Sequence, residues 1–207
     1  MSEFTNSESK RIEKLKELAT ILIKTGNAHS FIKDNKDFIP TVIPSDFIEL
    51  FDQMLKQSYK MEEIKIMTNK ILNIFHINIR DYKRIEPNPD SFLGILEKNN
   101  REMEKILNQI KPYLKDVENP KNKEELIKLF SHLQTFVNHY TIKENVIFPL
   151  VEKHLKKYRC IAVMWSIHDD IRRNISEIIT LLSSDTFDLQ KHNQLTGDTF
   201  FQIYTIV

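Results

Sequence analysis

The chain has 207 residues, enough for one sizeable domain or for a small one plus a helical bundle. Its 30 basic and 29 acidic residues give a formal net charge of +1 and are mixed along the chain, so neither nucleic acid nor an anionic membrane is an expected partner. Cys160 is the only cysteine, which excludes an internal disulfide. Because no secretory signal opens the sequence and no apolar run is long enough to span a membrane, we expect a cytoplasmic protein.

Three helices are predicted before residue 86. Only three glycines and helical periodicity throughout disfavour hairpins and sheets, so the expected fold class is all-α. The first helix should end at Gly26, the second should start with Ser45 as its N-cap, and the third should run over about 61–81. We expect these helices to form a small N-terminal domain, residues 1–86, which ends at two closely spaced prolines.

Four longer amphipathic helices are predicted after the prolines. They fall at about 91–115, 122–157, 160–183 and 188–207, and the second should bend at Pro149. Short connections between long amphipathic helices favour an antiparallel bundle, which we place at residues 87–207. Asn99 interrupts the apolar stripe of the first bundle helix, and its amide needs a partner if it is buried. The residues of this stripe are Phe92, Ile95, Leu96, Met103, Ile106, Leu107 and Ile110.

Two polar side chains fall inside apolar stripes of the bundle. Glu144 lies in the middle of the stripe of the second helix, and His168 lies near the centre of the stripe of the third. An isolated charge in an apolar interior is destabilising unless it is paired, protonated or bound to a cation. We therefore expect Glu144 and His168 to meet across a helix pair, where His168 is open to two interpretations, a metal ligand or a hydrogen-bonded core histidine.

His139 lies five residues before Glu144, which separates the two side chains by about 140° on an ideal helix. The two could still share a site if the carboxylate reaches across or if a single π-turn changes the register of the helix. His132, His154 and His192 are interpreted as ordinary histidines at stripe edges or helix ends.

Two stretches carry a resemblance to a known family. HYTIKENVIFPLVEK followed by MWSIHDDIR resembles the hemerythrin-like, or HHE cation-binding, family. FIELFDQMLKQSYKMEEIKIMTNKILNIF is similar to the helical domain of unknown function that precedes the bundle in one bacterial subfamily. The resemblance implies an up-and-down four-helix bundle with a non-haem, usually di-iron, centre that binds or senses oxygen, nitric oxide or redox state. In many relatives a PAS sensor module follows.

Carried over position by position, the resemblance predicts His139, Glu144 and His168 as metal ligands. Imidazole and carboxylate suit iron, manganese or zinc. The sequence departs from the family pattern at Ser91 and Gly94, where the subfamily has two histidines. It also ends at FFQIYTIV, about where a glutamate-rich element should begin, so we expect the fourth helix to be truncated. Three ligands cannot complete a pair of octahedral irons, but they could hold one ion with water.

The leading functional hypothesis is therefore an iron-binding sensory or regulatory protein. Its expected partners are a divalent metal ion and a downstream signalling module, with a homodimer as a further option. The alternative is a bundle without metal that acts as an interaction or scaffold domain, in which His168, Lys143 or Arg172 neutralises Glu144. An enzyme ranks last, because the sequence shows no nucleophile with an adjacent base.

Overall fold

The computed structural model describes residues 2–57, 59–155 and 159–206, in which all regular secondary structure is helical. The all-α prediction is therefore confirmed for the described residues. The α-helices are α1 (Ser2–Thr25), α2 (His29–Asp34), α3 (Pro44–Lys56), α4 (Met61–Ile74), α5 (His76–Arg80), α6 (Phe92–Ile110), α7 (Pro120–Gln134), α8 (Val137–Ile142), α9 (Phe148–His154), α10 (Ile161–Ser183) and α11 (Leu189–Ile206). Two 3-10 helices, Ile39–Thr41 and Lys111–Asp116, and one π-helix, Lys143–Ile147, complete the set.

The chain divides into two compact units. One contains the described residues of Met1–Arg84 and Leu150–Val163, and the other those of Ile85–Pro149 and Met164–Val207. That the predicted segments 1–86 and 87–207 act as separate domains stays a prediction. Among the described helices, none combines the length and the apolar character that crossing a membrane would need.

Edge-to-face aromatic pairs fill the core of the first unit. Phe38 packs against Phe31 and Phe75 with ring centroids 6.2 and 6.4 Å apart, and Phe47 lies 5.4 Å from Phe75. Such pairs add to the apolar area that folding buries. Phe75 also ends α4, so the helix predicted over 61–81 is two helices, α4 and α5. The break places the Phe75 ring inside this aromatic core.

The ends of α1 and α3 test two predicted caps. Helix α1 ends where expected, at Gly26, whose positive φ of 70° suits a residue without a Cβ. The N-cap prediction for Ser45 is wrong, because α3 begins at Pro44 and its N-cap is Ile43. The Asp46 carboxylate accepts a hydrogen bond from the Ile43 N–H at 3.0 Å. Asp46, the third residue of the helix, thus holds the N-cap residue from inside the helix, which is the reverse of the contact expected from Ser45.

The second unit is a helical bundle whose helices are joined by side-chain hydrogen bonds. Tyr140 on α8 donates to Met103 Sδ on α6 at 3.4 Å, and Gln134 on α7 donates to Ser176 on α10 at 3.0 Å. Tyr204 on α11 closes the ring by donating to Asn108 on α6 at 3.4 Å. Fully buried apolar side chains fill the interior, which supplies the main stabilisation of such a bundle.

The second bundle helix is not continuous as predicted. It is interrupted after α7 and again by the π-helix Lys143–Ile147, which ends directly before α9. Pro149, in the first turn of α9, has no N–H to donate to the preceding turn. A wider π-turn next to a proline is a common accommodation of that missing hydrogen bond.

Candidate functional site

Glu144 and His168 meet inside the bundle, as predicted. His168 Nδ1 lies 2.8 Å from Glu144 Oε1, and since the carboxylate can only accept, Nδ1–H donates. His168 is 0% exposed and Glu144 is 6% exposed. The prediction that these two groups face each other in a dry interior is confirmed.

The second bundle helix contains a π-helix next to the two predicted ligands. It spans Lys143–Ile147, so it begins four residues after His139 and its longer repeat acts only on the last step towards Glu144. His139 at the end of α8 and Glu144 within the π-helix are both buried. Of the two options that the sequence left open, the structure shows the π-turn.

Arg172 holds the Glu144 carboxylate. It lies one turn after His168 on α10, and one of its guanidinium nitrogens is 2.8 Å from Glu144 Oε1 and 2.8 Å from Oε2. Its other terminal nitrogen donates to Asp169 at 2.9 Å. Hydrogen bonds between ionised partners are about twice as strong as neutral ones. Both oxygens of Glu144 are therefore engaged by groups of the same chain.

His139 is bound by two asparagines of α6 instead of by the carboxylate. Its Nε2 lies 2.9 Å from Asn100 Oδ1, and its Nδ1 lies 3.4 Å from Asn99 Nδ2. The tautomer that satisfies both contacts has the proton on Nε2, which donates to Asn100, while Nδ1 accepts. Asn99, for which a partner was expected if it were buried, is only half-buried, and the buried amide is that of Asn100. Both ring nitrogens of His139 are thus occupied.

Asn100 is the site residue that the predicted stripe missed. It is buried, whereas Phe92 and Ile95, which were placed in the stripe, are 44% and 53% exposed, so that part of the prediction is wrong. The spacing Leu96, Asn100, Met103 follows the i, i+4, i+7 pattern of one helix face. That pattern could have identified Asn100 if polar residues had been allowed in the stripe.

Lys143 brings a second cationic side chain to the interior. It is buried, and its Nζ lies 3.3 Å from Asn100 Oδ1. Burial lowers the pKa of Lys143 to about 8, against the opposing charge of Glu97. At neutral pH the ammonium form still dominates. We call the following residues the polar cluster: Asn100, His139, Lys143, Glu144, His168 and Arg172. This cluster carries two positively charged side chains, Lys143 and Arg172, and one carboxylate.

One nitrogen of the polar cluster has no partner among the described residues. His168 Nε2 is fully buried and makes no hydrogen bond. Its ring lies between two others, with centroids 4.5 Å from Tyr140 and 5.6 Å from Phe148. With Nδ1 protonated, Nε2 keeps its lone pair, which makes it the one donor atom of the predicted ligand set that remains open.

The start of α6 explains why Ser91 and Gly94 cannot contribute ligands. Ser91 is the N-cap, and its hydroxyl oxygen accepts from the Gly94 N–H at 3.1 Å. A Cβ added to Gly94 would lie 2.2 Å from Asn88 O and 2.7 Å from Pro89 O. Position 94 therefore has no room for a side chain, and both positions serve the helix start instead.

Three histidines that the sequence analysis set aside are not part of the polar cluster. His132 and His154 are exposed, in keeping with their interpretation as ordinary residues. His192, interpreted in the same way, is instead completely buried on α11, where its ring packs 5.5 Å from Phe187. The sequence placed His192 near the start of a predicted helix, and that position did not indicate that its side chain would be buried.

The two buried histidines of the polar cluster should make the fold sensitive to acid. Burial lowers the pKa of His139 to about 3 and that of His168 to about 4, in the second case against the charge of Glu144. In the unfolded chain both titrate near 6.5. Below that pH the unfolded chain binds protons that the folded chain does not, so stability should fall as the pH drops from 6.5 towards 4.

Urea unfolding between pH about 7.5 and about 5 measures this dependence. His168→Gln should show a shallower loss of stability with acid than the unchanged chain. His132→Gln, at an exposed position, should leave the slope unaltered. A slope that His168→Gln does not change would contradict the neutral state of the buried ring.

The side chains do not fit a metal centre as they are arranged. Within the described part of the chain, no three or more His, Cys, Asp or Glu side chains are grouped so as to hold an ion. Glu144 is bound by Arg172 and His168, and His139 is bound by asparagines. A divalent cation at Glu144 would meet the positive charge of Arg172 at close range. The assignment of His139, Glu144 and His168 as ligands stays a prediction.

The bundle segment matches the profile of a known family. The profile described as "Hemerythrin HHE cation binding domain" matches residues 91–201, which is more than half of the chain. No curated protein and no solved structure matches the sequence. The match covers α6 to most of α11 and includes every residue of the polar cluster.

Proposed function

Because the chain belongs to the hemerythrin HHE cation-binding family, we propose that it uses the bundle of that family without a bound metal, as an interaction or scaffold domain. The observation that carries the proposal is the pairing of Glu144, whose two oxygens both accept hydrogen bonds from Arg172. In this bundle the positive charge that a buried carboxylate requires comes from the chain itself.

The charges around Glu144 support this proposal. The carboxylate is matched by the Arg172 guanidinium, which stays protonated at any relevant pH. His168 adds a hydrogen bond from an uncharged imidazole, and Lys143 places a further ammonium group in the same interior. An incoming divalent ion would have to displace Arg172 from Glu144 and leave the guanidinium without its buried partner, which is unfavourable.

An interaction role is supported by apolar side chains on the surface of α6. Phe92, Leu93 and Ile95 are 44%, 54% and 53% exposed within four residues of one another. Single exposed apolar residues are ordinary, but three within one turn of a helix offer area that a protein partner can cover. The class of ligand proposed is therefore a protein surface.

A second candidate function is the binding of one divalent ion, such as iron, by His139, Glu144 and His168 in a sensory protein. The observation that favours it is that His168 Nδ1 lies 2.8 Å from Glu144 Oε1, so that an ion could take the place of the proton between them. This candidate requires Arg172 to leave Glu144. A signal passed to a downstream module would then depend on whether the ion is bound.

Metal analysis of the full chain, purified without a metal-affinity tag and incubated anaerobically with Fe²⁺ or with Zn²⁺ before desalting, separates the two functions. We expect the metal content of the chain to equal that of His168→Ala. One ion per chain that is lost in His168→Ala would overturn the metal-independent function and support the second candidate.

A further inference from the structure

We propose that α11 is a releasable helix of the bundle, and that the groove it leaves between α6 and α10 binds an amphipathic helix of a partner protein. The partner helix is more apolar on its buried face than α11 is. This inference goes beyond the proposed function, because it concerns a different place on the bundle and does not depend on how Glu144 is neutralised.

The buried face of α11 is mostly polar. Four buried polar residues recur at helical spacing along one side of this helix: His192, Thr196, Thr199 and Gln202. Ile203 is the single buried apolar side chain among the described side chains of α11. Because the burial of apolar surface is the main force that holds a helix in a bundle, the described part of α11 gains little stability from its position.

The two neighbours of α11 have long apolar stripes instead. Tyr204 of α11 donates to Asn108 on α6, and Lys191 of α11 pairs with Glu177 on α10, so α11 lies against both helices. Their buried apolar residues in this unit are Leu96, Met103, Ile106, Leu107 and Ile110 on α6, and Ile167, Ile171, Ile175, Ile178 and Leu182 on α10. An apolar interior is thus covered on one side by a polar helix face.

Two polar atoms on the buried face of α11 lack a hydrogen bond among the described residues. These atoms are His192 Nε2 and Thr196 Oγ1, which belong to side chains one helical turn apart. A third contact, from Asn174 Nδ2 to Gln202 Oε1, is long at 3.4 Å. A buried polar atom without a partner costs free energy that hydration would recover. We therefore expect α11 to leave the bundle at a lower free energy than the other bundle helices do.

The rim of the groove indicates the charges of the partner helix. Glu177 on α10 holds Lys191 in the first turn of α11. Lys111, directly after α6, has its Nζ 5.3 Å from the centre of the Tyr204 ring. A helix that replaces α11 would match this rim with a basic residue in its first turn and an aromatic residue near its end. Apolar residues at the four buried polar positions would complete its face, as in other complexes of a helix with a groove.

Hydrogen exchange of the full chain, followed by mass spectrometry, tests the release. We expect the amides of α11 to exchange together and roughly tenfold or more faster than those of α10. Combining His192→Leu with Thr196→Val should slow the exchange of α11 by roughly tenfold, because apolar groups replace two unpartnered polar ones. Thr180→Val, at an exposed position of α10, is the matched control and should leave it unchanged. Exchange of α11 as slow as that of α10 would overturn the inference.

A fluorescent synthetic peptide of residues 188–206 that carries the same two exchanges, His192→Leu and Thr196→Val, tests the groove. By anisotropy, we expect the full chain to bind this peptide roughly tenfold more tightly than the peptide of unchanged sequence. Adding Ile203→Asp to the peptide should abolish binding. The full chain with both exchanges holds its own α11 more firmly and should bind the peptide more weakly.

Two results of the peptide titration would contradict the groove. One is a full chain that does not bind the peptide, and the other is equal binding by the unchanged chain and by the chain with both exchanges. Neither result bears on the metal content that tests the proposed function, so the two proposals fail separately.

Discussion

Arg172→Met should lower the free energy of unfolding by about 3 kcal/mol at neutral pH, because it leaves the Glu144 carboxylate buried without its counter-charge. Arg172 itself is only partly exposed, with 22% of its side chain accessible, so water does not screen the pair as it would on the surface. Urea denaturation followed by circular dichroism at 222 nm measures the loss.

An exposed ion pair provides the control. Arg80 pairs with Asp81 at 2.7 Å, and the two side chains are 69% and 59% exposed, so water screens the pair and Arg80→Met should change stability far less than Arg172→Met. Combining Glu144→Gln with Arg172→Met should recover part of the stability lost in Arg172→Met, since the unpaired charge is then gone. Equal effects of Arg172→Met and Arg80→Met would contradict a buried ion pair at Glu144.

Gly94→Ala should lower the free energy of unfolding by about 2 kcal/mol, because the added methyl group has no room at the start of α6. Its Cβ would lie 2.2 Å from the backbone oxygen of Asn88, so the N-terminal turn of the helix has to move. The Ser91 cap that depends on the Gly94 N–H would be disturbed as well. Thermal or urea unfolding of the variant gives the size of the effect.

Gly197→Ala is the matched control for this substitution. Gly197 lies within α11, and a Cβ there meets no atom within 4 Å. Alanine is the better helix former, so this variant should gain about 0.5–1 kcal/mol. A Gly94→Ala variant as stable as Gly197→Ala would show that position 94 tolerates a side chain.

The parts of the molecule that the sequence predicted well depend on helical periodicity. The all-α fold, the four bundle helices and the meeting of Glu144 with His168 all follow from which residues share a helix face. These patterns are local, and burial of an apolar face fixes the orientation of each helix. For His139 the sequence left a π-turn as one of two options. Choosing between them required knowing that the helix changes from α to π geometry before Pro149.

The partners of the polar side chains could not be predicted in the same way. His168, Lys143 and Arg172 were all open as the group that neutralises Glu144, since each could reach it in some rotamer. The structure gives that role to Arg172, because it alone brings a permanent charge to both carboxylate oxygens. Lys143 instead contacts Asn100, a residue whose polar character hid it from the apolar stripe.

Polar contacts of this kind also explain how a metal-independent bundle can keep a unique packing. The amides of Asn99 and Asn100 fix the ring of His139, and Tyr140 and Phe148 enclose that of His168. Hydrogen bonds in a buried, low-dielectric interior are costly to break. We expect it to set the register between α6, α8 and α10.

A crystal structure of the full chain grown with excess Zn²⁺, with diffraction recorded at the zinc absorption edge, distinguishes a carboxylate held by arginine from one that binds metal. We expect the Arg172 guanidinium to contact both oxygens of Glu144 and the anomalous map to have no peak beside them. An anomalous peak bound by Glu144 and His168, with Arg172 turned away from the carboxylate, would contradict this expectation.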